Sequence, residues 1–250
     1  MIFFGIVLLI VAIVCFFVAR GQSGKLRAMN AADTFTAQML QDLHGRVVSS
    51  VGPEALAQPC EVTGTVESDA PLSAPVSGMA CVAYVHTVTR EYEEDVTNTD
   101  SNGKTTQEMA RRSETIETSQ RRAPFYVRDA TGRVLVNPED ADLDMVEAGG
   151  RFDAAQPKPG ERARTLGFRH AVQALPVGAQ VYVLGCAVDS GGQPAIARGP
   201  RDRKQRFLIS RRSERELAGS AASWARGLYY AAGGLGALGV ALLVLGLLGQ

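Results

Sequence analysis

Charge is missing from both ends of this sequence. Residues 1–19 and 227–250 contain no Lys, Arg, Asp or Glu, so the 26 basic and 26 acidic residues of the 250-residue chain all lie between Arg20 and Arg226. Reactive side chains are few as well: three His, four Cys and one Trp. A formal net charge of zero excludes a strongly basic nucleic-acid binder and an acidic disordered chain. So few cysteines exclude a disulfide scaffold, and two apolar stretches are too few for a polytopic transporter. What remains is a charged middle, about a quarter Asp, Glu, Lys and Arg, which is an ordinary share for a water-facing domain.

The same scarcity limits the chemistry. Cys15, Cys60, Cys81, Cys186, His44, His86 and His170 are the only Cys and His residues, and no C-x-x-C pair occurs. One mononuclear site from Cys60, Cys81, Cys186 and a His is the metal alternative; buried thiols on strands are the simpler reading. A Cys–His nucleophile pair is the enzyme alternative. Three cysteines outside the first apolar run leave an odd thiol, which favours a reducing compartment. Asp140, Asp142 and Asp144 resemble the start of a calcium loop, but Met145 and Arg151 stand where Gly and Glu are required. Ser77-Gly78 and Ser190-Gly-Gly192 lack the lysine and glycine frame of a phosphate cradle and read as turns. No catalytic, cofactor-binding or metal-ligating residue is assigned.

The uncharged ends read as membrane anchors. Ile2–Ala19 is an unbroken apolar run of 18 residues. As a helix it would cover about 27 Å, close to the hydrocarbon thickness of a bilayer. It lacks the basic n-region and small-residue cleavage site of a secretory signal. The second run, Leu228–Gly249, follows Trp224 and includes Tyr229 and Tyr230 at headgroup level. Ala232, Gly233, Gly236 and Ala237 form small-xxx-small pairs suited to helix packing, including packing of a homo-oligomer. Arg20, Lys25 and Arg27 on one side, with Arg211, Arg212, Arg215 and Arg226 on the other, predict a cytoplasmic middle domain in a bacterial-type plasma membrane. The mitochondrial outer membrane is the alternative location.

Between the ends the hydrophobic period changes. Phe35, Met39, Leu40, Leu43, Val47 and Val48 recur at three- and four-residue spacing, which predicts an amphipathic helix over 28–51 with Asp33 as N-cap and Gly52-Pro53 as stop. From Cys60 the period is two, predicting a strand to Val66 and another through Val82, Tyr84, His86, Val88 and Tyr92. Glu114–Thr118 is the returning strand, joined by a long polar connection with an Asn-Gly turn signal. Further strands are expected at 125–128, 133–137, 164–172, 181–188, 195–197 and 207–210. Asn137-Pro138-Glu139-Asp140 reads as the start of a short helix.

Eight cations crowd the stretch before the second apolar run: Arg198, Arg201, Arg203, Lys204, Arg206, Arg211, Arg212 and Arg215. Such a stretch can contact anionic lipid or serve only as a topology signal. The expected class is therefore a membrane protein with two transmembrane α-helices flanking a mostly antiparallel, β-rich α+β domain and its amphipathic connector helix. Its segments are 1–19, 20–58, 59–212, 213–226 and 227–249.

Four blocks in the middle carry a resemblance: Pro71–Tyr84 (PLSAPVSGMACVAY), Ala123–Pro138 (APFYVRDATGRVLVNP), Leu175–Gly185 (LPVGAQVYVLG) and Arg206–Ser210 (RFLIS). In that order they resemble the GIDE, or beside-a-membrane (BAM), domain, over roughly residues 60–249. The eukaryotic members are mitochondrial RING-type E3 ubiquitin ligases whose RING follows the second membrane helix. Two tetrahedral zinc sites need more ligands than this sequence has Cys and His, so a RING is excluded by counting. The resemblance implies a location and a binding role. The expected protein is a membrane-anchored scaffold without intrinsic catalysis, whose partners are the bilayer, an anionic lipid, a membrane or cytosolic protein, or a second copy, and not nucleic acid. The alternatives are a ligase-like component acting with a separate RING chain and a cryptic Cys/His enzyme.

Overall fold

The computed structural model describes residues 33–99, 105–156, 163–200 and 205–212, with scattered positions between 3 and 17 and between 230 and 244. Those scattered positions are helical, yet among the described residues no helix is long and apolar enough to cross a membrane. This overturns the two-span class expected from the uncharged ends. Absence of charge makes a segment apolar. A span needs, in addition, about 20 residues of unbroken helix, because lipid offers no partner to a free backbone group. Arg20, Lys25, Arg27, Arg215 and Arg226 lie outside the described residues.

The middle is β-rich, as the period-two pattern predicted. In chain order the elements are β1 (Asp33–Thr34), helix α1 (Ala37–Val51), β2 (Gln58–Glu67), β3 (Leu72–Ser73), β4 (Ala80–Thr99) and β5 (Thr105–Arg122). They continue as β6 (Phe125–Arg128), β7 (Arg133–Val136), β8 (Asp142–Leu143) and β9 (Val146–Ala154). The last are β10 (Ala163–Pro176), β11 (Gln180–Asp189), β12 (Pro194–Ala197) and β13 (Leu208–Ser210).

Five of these strands close a small barrel. The ring runs β2–β6–β7–β12–β11 and returns to β2, where Thr65 faces Gln180 and Gln58 faces Ala187. Closure removes the exposed strand edges of an open sheet. It is possible because β11 is buried on both faces from Val181 to Ala187 and because two glycines allow tight approach. A Cβ on Gly64 would run into the backbone carbonyl of Arg128, and one on Gly185 would lie 2.7 Å from the Ile196 side chain. Val62, Phe125, Val136, Val183, Ile196 and Ile209 fill the interior, each at most 1% exposed. β1 adds to β2, while β13 and then β8 add to β11.

Helix α1 starts later than its periodicity suggested. Asp33 and Thr34 pair with Cys60 and Glu61 as a strand, so Thr36 becomes the N-cap and accepts from the Met39 N–H at 3.2 Å. The Ala37 N–H donates to Asp129 (2.7 Å) and the Gln38 N–H to the Thr131 hydroxyl (3.2 Å), so the β6–β7 turn caps the helix as well. Gly52, at φ 90°, ends it as expected. The short helix predicted after Asn137 is a turn, closed by the Ala141 N–H on the Pro138 carbonyl, with Asp140 at φ 60°. Asp142 then pairs with the β13 region, and that backbone pairing replaces a helical continuation.

The second sheet has the order β5–β4–β10–β9, with β3 on β4 below β5. Its root is packed by Ala74, Cys81, Ala148, Val172 and Ala174, with Leu72 and Tyr84 at the margin. Beyond that small core β4 and β5 continue as a two-stranded ribbon, paired from Ala83–Arg122 out to Thr99–Thr105. The polar residues expected to form a loose connection are mostly strand; only 100–104 lie outside the described residues.

Candidate functional site

Two surfaces concentrate the polar chemistry: a cluster where β8 meets β13, and the outer part of the second sheet. At the first, β8 and β13 run parallel, with Leu208 facing Asp142 and Ile209 facing Leu143. The Asp142 N–H donates to the Phe207 carbonyl (2.8 Å) and the Asp144 N–H to the Ile209 carbonyl (2.9 Å). This register places three aspartates opposite the basic stretch. Arg198 lies 3.9 Å from the Asp140 carboxylate and also donates to the Asp140 carbonyl. Arg206 reaches Asp142 at 3.3 Å, and Arg212 lies 4.0 Å from Asp144. The Ser210 hydroxyl donates to Asp144 (3.1 Å) and accepts from the Arg212 N–H (3.1 Å). Asp142, Leu143, Asp144, Leu208, Ser210 and Arg212 line a shallow pocket of about 260 Å³. From β5, Arg122 donates to the Pro138 and Ala141 carbonyls at 2.8 and 2.9 Å, which ties the second sheet to this corner.

Thus two sequence features that looked unrelated, a failed calcium loop and a basic stretch, face each other. Arg211 is exposed; Arg201, Arg203, Lys204 and Arg215 lie outside the described residues. Of the small residues proposed for helix packing, Ala232, Gly233 and Gly236 are helical, a Cβ on Gly233 would meet nothing within 4 Å, and Ala237 lies outside the described residues.

On the second sheet the ribbon is laced by cross-strand ion pairs. Arg90 meets Glu114 (2.9 Å), Arg111 meets Glu93 (3.2 Å) and Arg112 meets Glu94 (3.1 Å), while Arg169 of β10 meets Glu91 (2.6 Å). Among the described strands β5 pairs only with β4, so its other edge is free along the ribbon. Met109, Ile116 and Phe152 stand exposed among the charges, at 57%, 50% and 43%. Nearer the root lies a polar row. His86 of β4 and His170 of β10 meet nitrogen to nitrogen at 3.1 Å, and His170 Nε2 lies 3.3 Å from Asp153 of β9.

The third histidine is used in packing. His44 is buried on α1 and meets Asp189 at 2.6 Å. That hydrogen bond, with a second from the Gly192 N–H, holds the Asp189 carboxyl below its ordinary range. At the helix start, burial pulls the Asp129 carboxyl upward. The Thr131 hydroxyl and the N–H groups of Ala37, Thr131 and Gly132 outweigh it and hold Asp129 below the usual value. Cys60, Cys81 and Cys186 are buried thiols. Burial, reinforced by neighbouring Cys186, pushes Cys60 up to about 12, far from thiolate reactivity. Burial also raises Cys81. Among the described residues no three His, Cys, Asp or Glu side chains converge as metal ligands would.

Sequence reasoning found His86 and His170 only as separate residues on apolar-patterned strands and passed over Asp153. Their meeting depends on a register across strands 84 residues apart in the chain, and no local signal encodes it.

A closed five-stranded barrel carrying a projecting, charge-laced sheet defines a β-barrel class with one long peripheral ribbon. The family model for the GIDE domain, described as E3 ubiquitin ligase, matches residues 93–246. The chain belongs to the GIDE family. The match takes in the outer part of β4 and every strand from β5 to β13. No curated protein and no solved structure matches the chain.

Proposed function

We propose that this GIDE-family chain is a partner-binding module whose recognition surface is the projecting second sheet. The observation that carries the reading is the shape of that sheet. Most of a domain's strands end at its core, but β4 and β5 run on as a ribbon with one free edge and exposed Met109 and Ile116. A free strand edge offers unpaired backbone groups to an extended segment of a partner, and scattered apolar side chains among charges supply contact area. The barrel anchors this sheet at its root, where Arg122 of β5 donates to the Pro138 and Ala141 carbonyls.

The test is a shortened ribbon. Replacing residues 92–112 by a two-residue turn leaves the barrel and the sheet root intact. Crosslinking and affinity capture from the native host with the full chain should recover a reproducible partner protein that the shortened chain loses. Equal recovery by both chains, or no reproducible partner with either, overturns the reading.

A second reading rests on the family's own description. As a ligase-like component the chain would support ubiquitin transfer together with a separate RING chain. Reconstitution with charged ubiquitin-conjugating enzyme and that second chain tests it, and transfer unchanged when this chain is omitted removes it. Replacing Cys60, Cys81 and Cys186 one at a time separates this from a thiol enzyme, because only the latter loses activity with a single thiol.

A further inference from the structure

The His86–His170 contact is a hydrogen bond rather than a ring stack. The ring centroids are 5.3 Å apart and the planes differ by 17°. The facing nitrogens are 3.1 Å apart, so the centroid separation exceeds the nitrogen separation by roughly the width of one ring. The two imidazoles therefore lie nearly in one plane and meet tip to tip. A metal on the line between them would need about 4 Å, since an imidazole–zinc bond is about 2.0–2.1 Å long. The gap holds a proton.

The third member sets the direction of that proton. A carboxylate only accepts, so the Asp153 oxygen 3.3 Å away, which also accepts from Arg151 at 2.9 Å, favours a proton on His170 Nε2. In the neutral ring His170 Nδ1 is then an acceptor, and His86 Nε2–H donates to it. His86 keeps a free lone pair on Nδ1 and takes a first added proton there, which leaves the N–H···N bond in place. A second added proton must go to His170 Nδ1. That puts N–H against N–H between two cations at 3.1 Å, and the contact has to break.

The other groups facing this row are Glu117, Ser119 and Arg121 of β5, Tyr84 and Arg90 of β4, and Arg151 of β9. Arg151 is paired to Asp153 at 2.8 Å and Arg90 to Glu114, so their charges are largely offset. From β10, the same face presents apolar Phe168 and Val172.

The position of the row gives it leverage. His86 pairs in register with Val172 of the sheet's small core; beyond it only Val88 is buried and Phe168 half-buried on this face, and the side chains that lace the strands further out are mostly polar and charged. Register irregularities flank the row, between Val88 and Thr89 on β4 and between Ala171 and Gln173 on β10. We propose that Asp153, His170 and His86 form a proton-operated hinge at the base of the outer ribbon. Sharing one proton, the row staples β9, β10 and β4 together. Holding the second proton, it releases the staple and loosens the ribbon while the barrel stays closed. The inference concerns the chain alone and holds whether or not the ribbon binds a partner.

Hydrogen exchange on the full chain, corrected for intrinsic rates, tests it across the range in which histidine changes charge, about pH 5–8. From the upper to the lower limit, protection of residues 86–94 and 163–170 should fall by roughly fivefold or more, with β2 and β11 unchanged. His86→Gln and His170→Gln should each remove that step, and if one variant does not fold the other carries the test. No pH step in the wild type, a step that survives substitution, or an equal loss across the barrel overturns the proposal. A second readout uses no variant. Nitrogen-15 spectra at neutral pH should show both rings protonated on Nε2, and a proton on His170 Nδ1 instead of Nε2 removes the relay.

Discussion

The barrel and the outer sheet are both mainly antiparallel β structure, but different forces hold them. In the barrel every interior position is apolar and nearly every strand edge is paired, so burial supplies the stabilisation, at roughly 25 cal/mol per Å² of apolar area. In the outer sheet the small apolar core ends at Val172 and its neighbour Val88, and what lies beyond is mainly ladder hydrogen bonds and half-exposed ion pairs, with one histidine row at the boundary. Exposed ion pairs contribute about 0–1 kcal/mol each. The ribbon is therefore the low-stability part of the molecule and the part that conditions can change, as surfaces that move or bind commonly are.

Substitutions should separate the two regions. The largest loss is expected in the barrel core. Phe125→Ala removes a fully buried ring and should cost about 3–5 kcal/mol in denaturant unfolding. A loss near that of a surface change would show that the barrel is not the stabilising unit. Gly64→Ala should also be severe, because its methyl meets the Arg128 carbonyl across the closing strands; near-ultraviolet dichroism and thermal unfolding will report it. A tolerated alanine would mean the ring can open at β2–β6 without consequence.

Smaller effects test the attachments. Asp129→Ala removes the cap that the β6–β7 turn places on α1 and should cost about 1 kcal/mol. Because Asp129 and Asp189 sit below their ordinary range when folded, their contribution is present above the unfolded carboxylate pKa and fades as pH falls through the folded values. Acid titration of the wild type should show α1 loosening below about pH 4, and Asp129→Asn should flatten that loss. The smallest effect belongs to the ribbon. Arg111→Ala and Arg112→Ala should each change global stability by less than about 1 kcal/mol, while exchange at β5 rises and becomes less sensitive to salt. Finally, Cys60 should resist alkylation in the native state and react only on unfolding, as its burial and pKa of about 12 require.

Much of the fold was readable from pattern. The strands at 125–128 and 133–136 follow from alternation and an Asp-Ala-Thr-Gly turn, and α1 from its three- and four-residue spacing. β9 escaped notice because Gly149 and Gly150 interrupt it and most of its side chains are exposed. The ribbon escaped for a related reason: its polar residues look like loop until Glu93, Glu94, Arg111 and Arg112 are seen across from one another. The uncharged ends misled in the opposite direction, since among the described residues no helix is long and apolar enough to cross a membrane.

Local chemistry was determined by the sequence alone: where the chain alternates, where it turns, which residues are too few to build paired zinc sites, and that the blocks from Pro71 to Ser210 follow the GIDE order. Only the tertiary structure decided what those residues face. The pairing of β2 with β11 closes the barrel, the β8–β13 register sets three arginines on three aspartates, and the β4–β10 register joins His86 to His170. Each of these depends on a strand register between distant segments. A register is selected by the burial of whole faces at once, so no single stretch of sequence contains it.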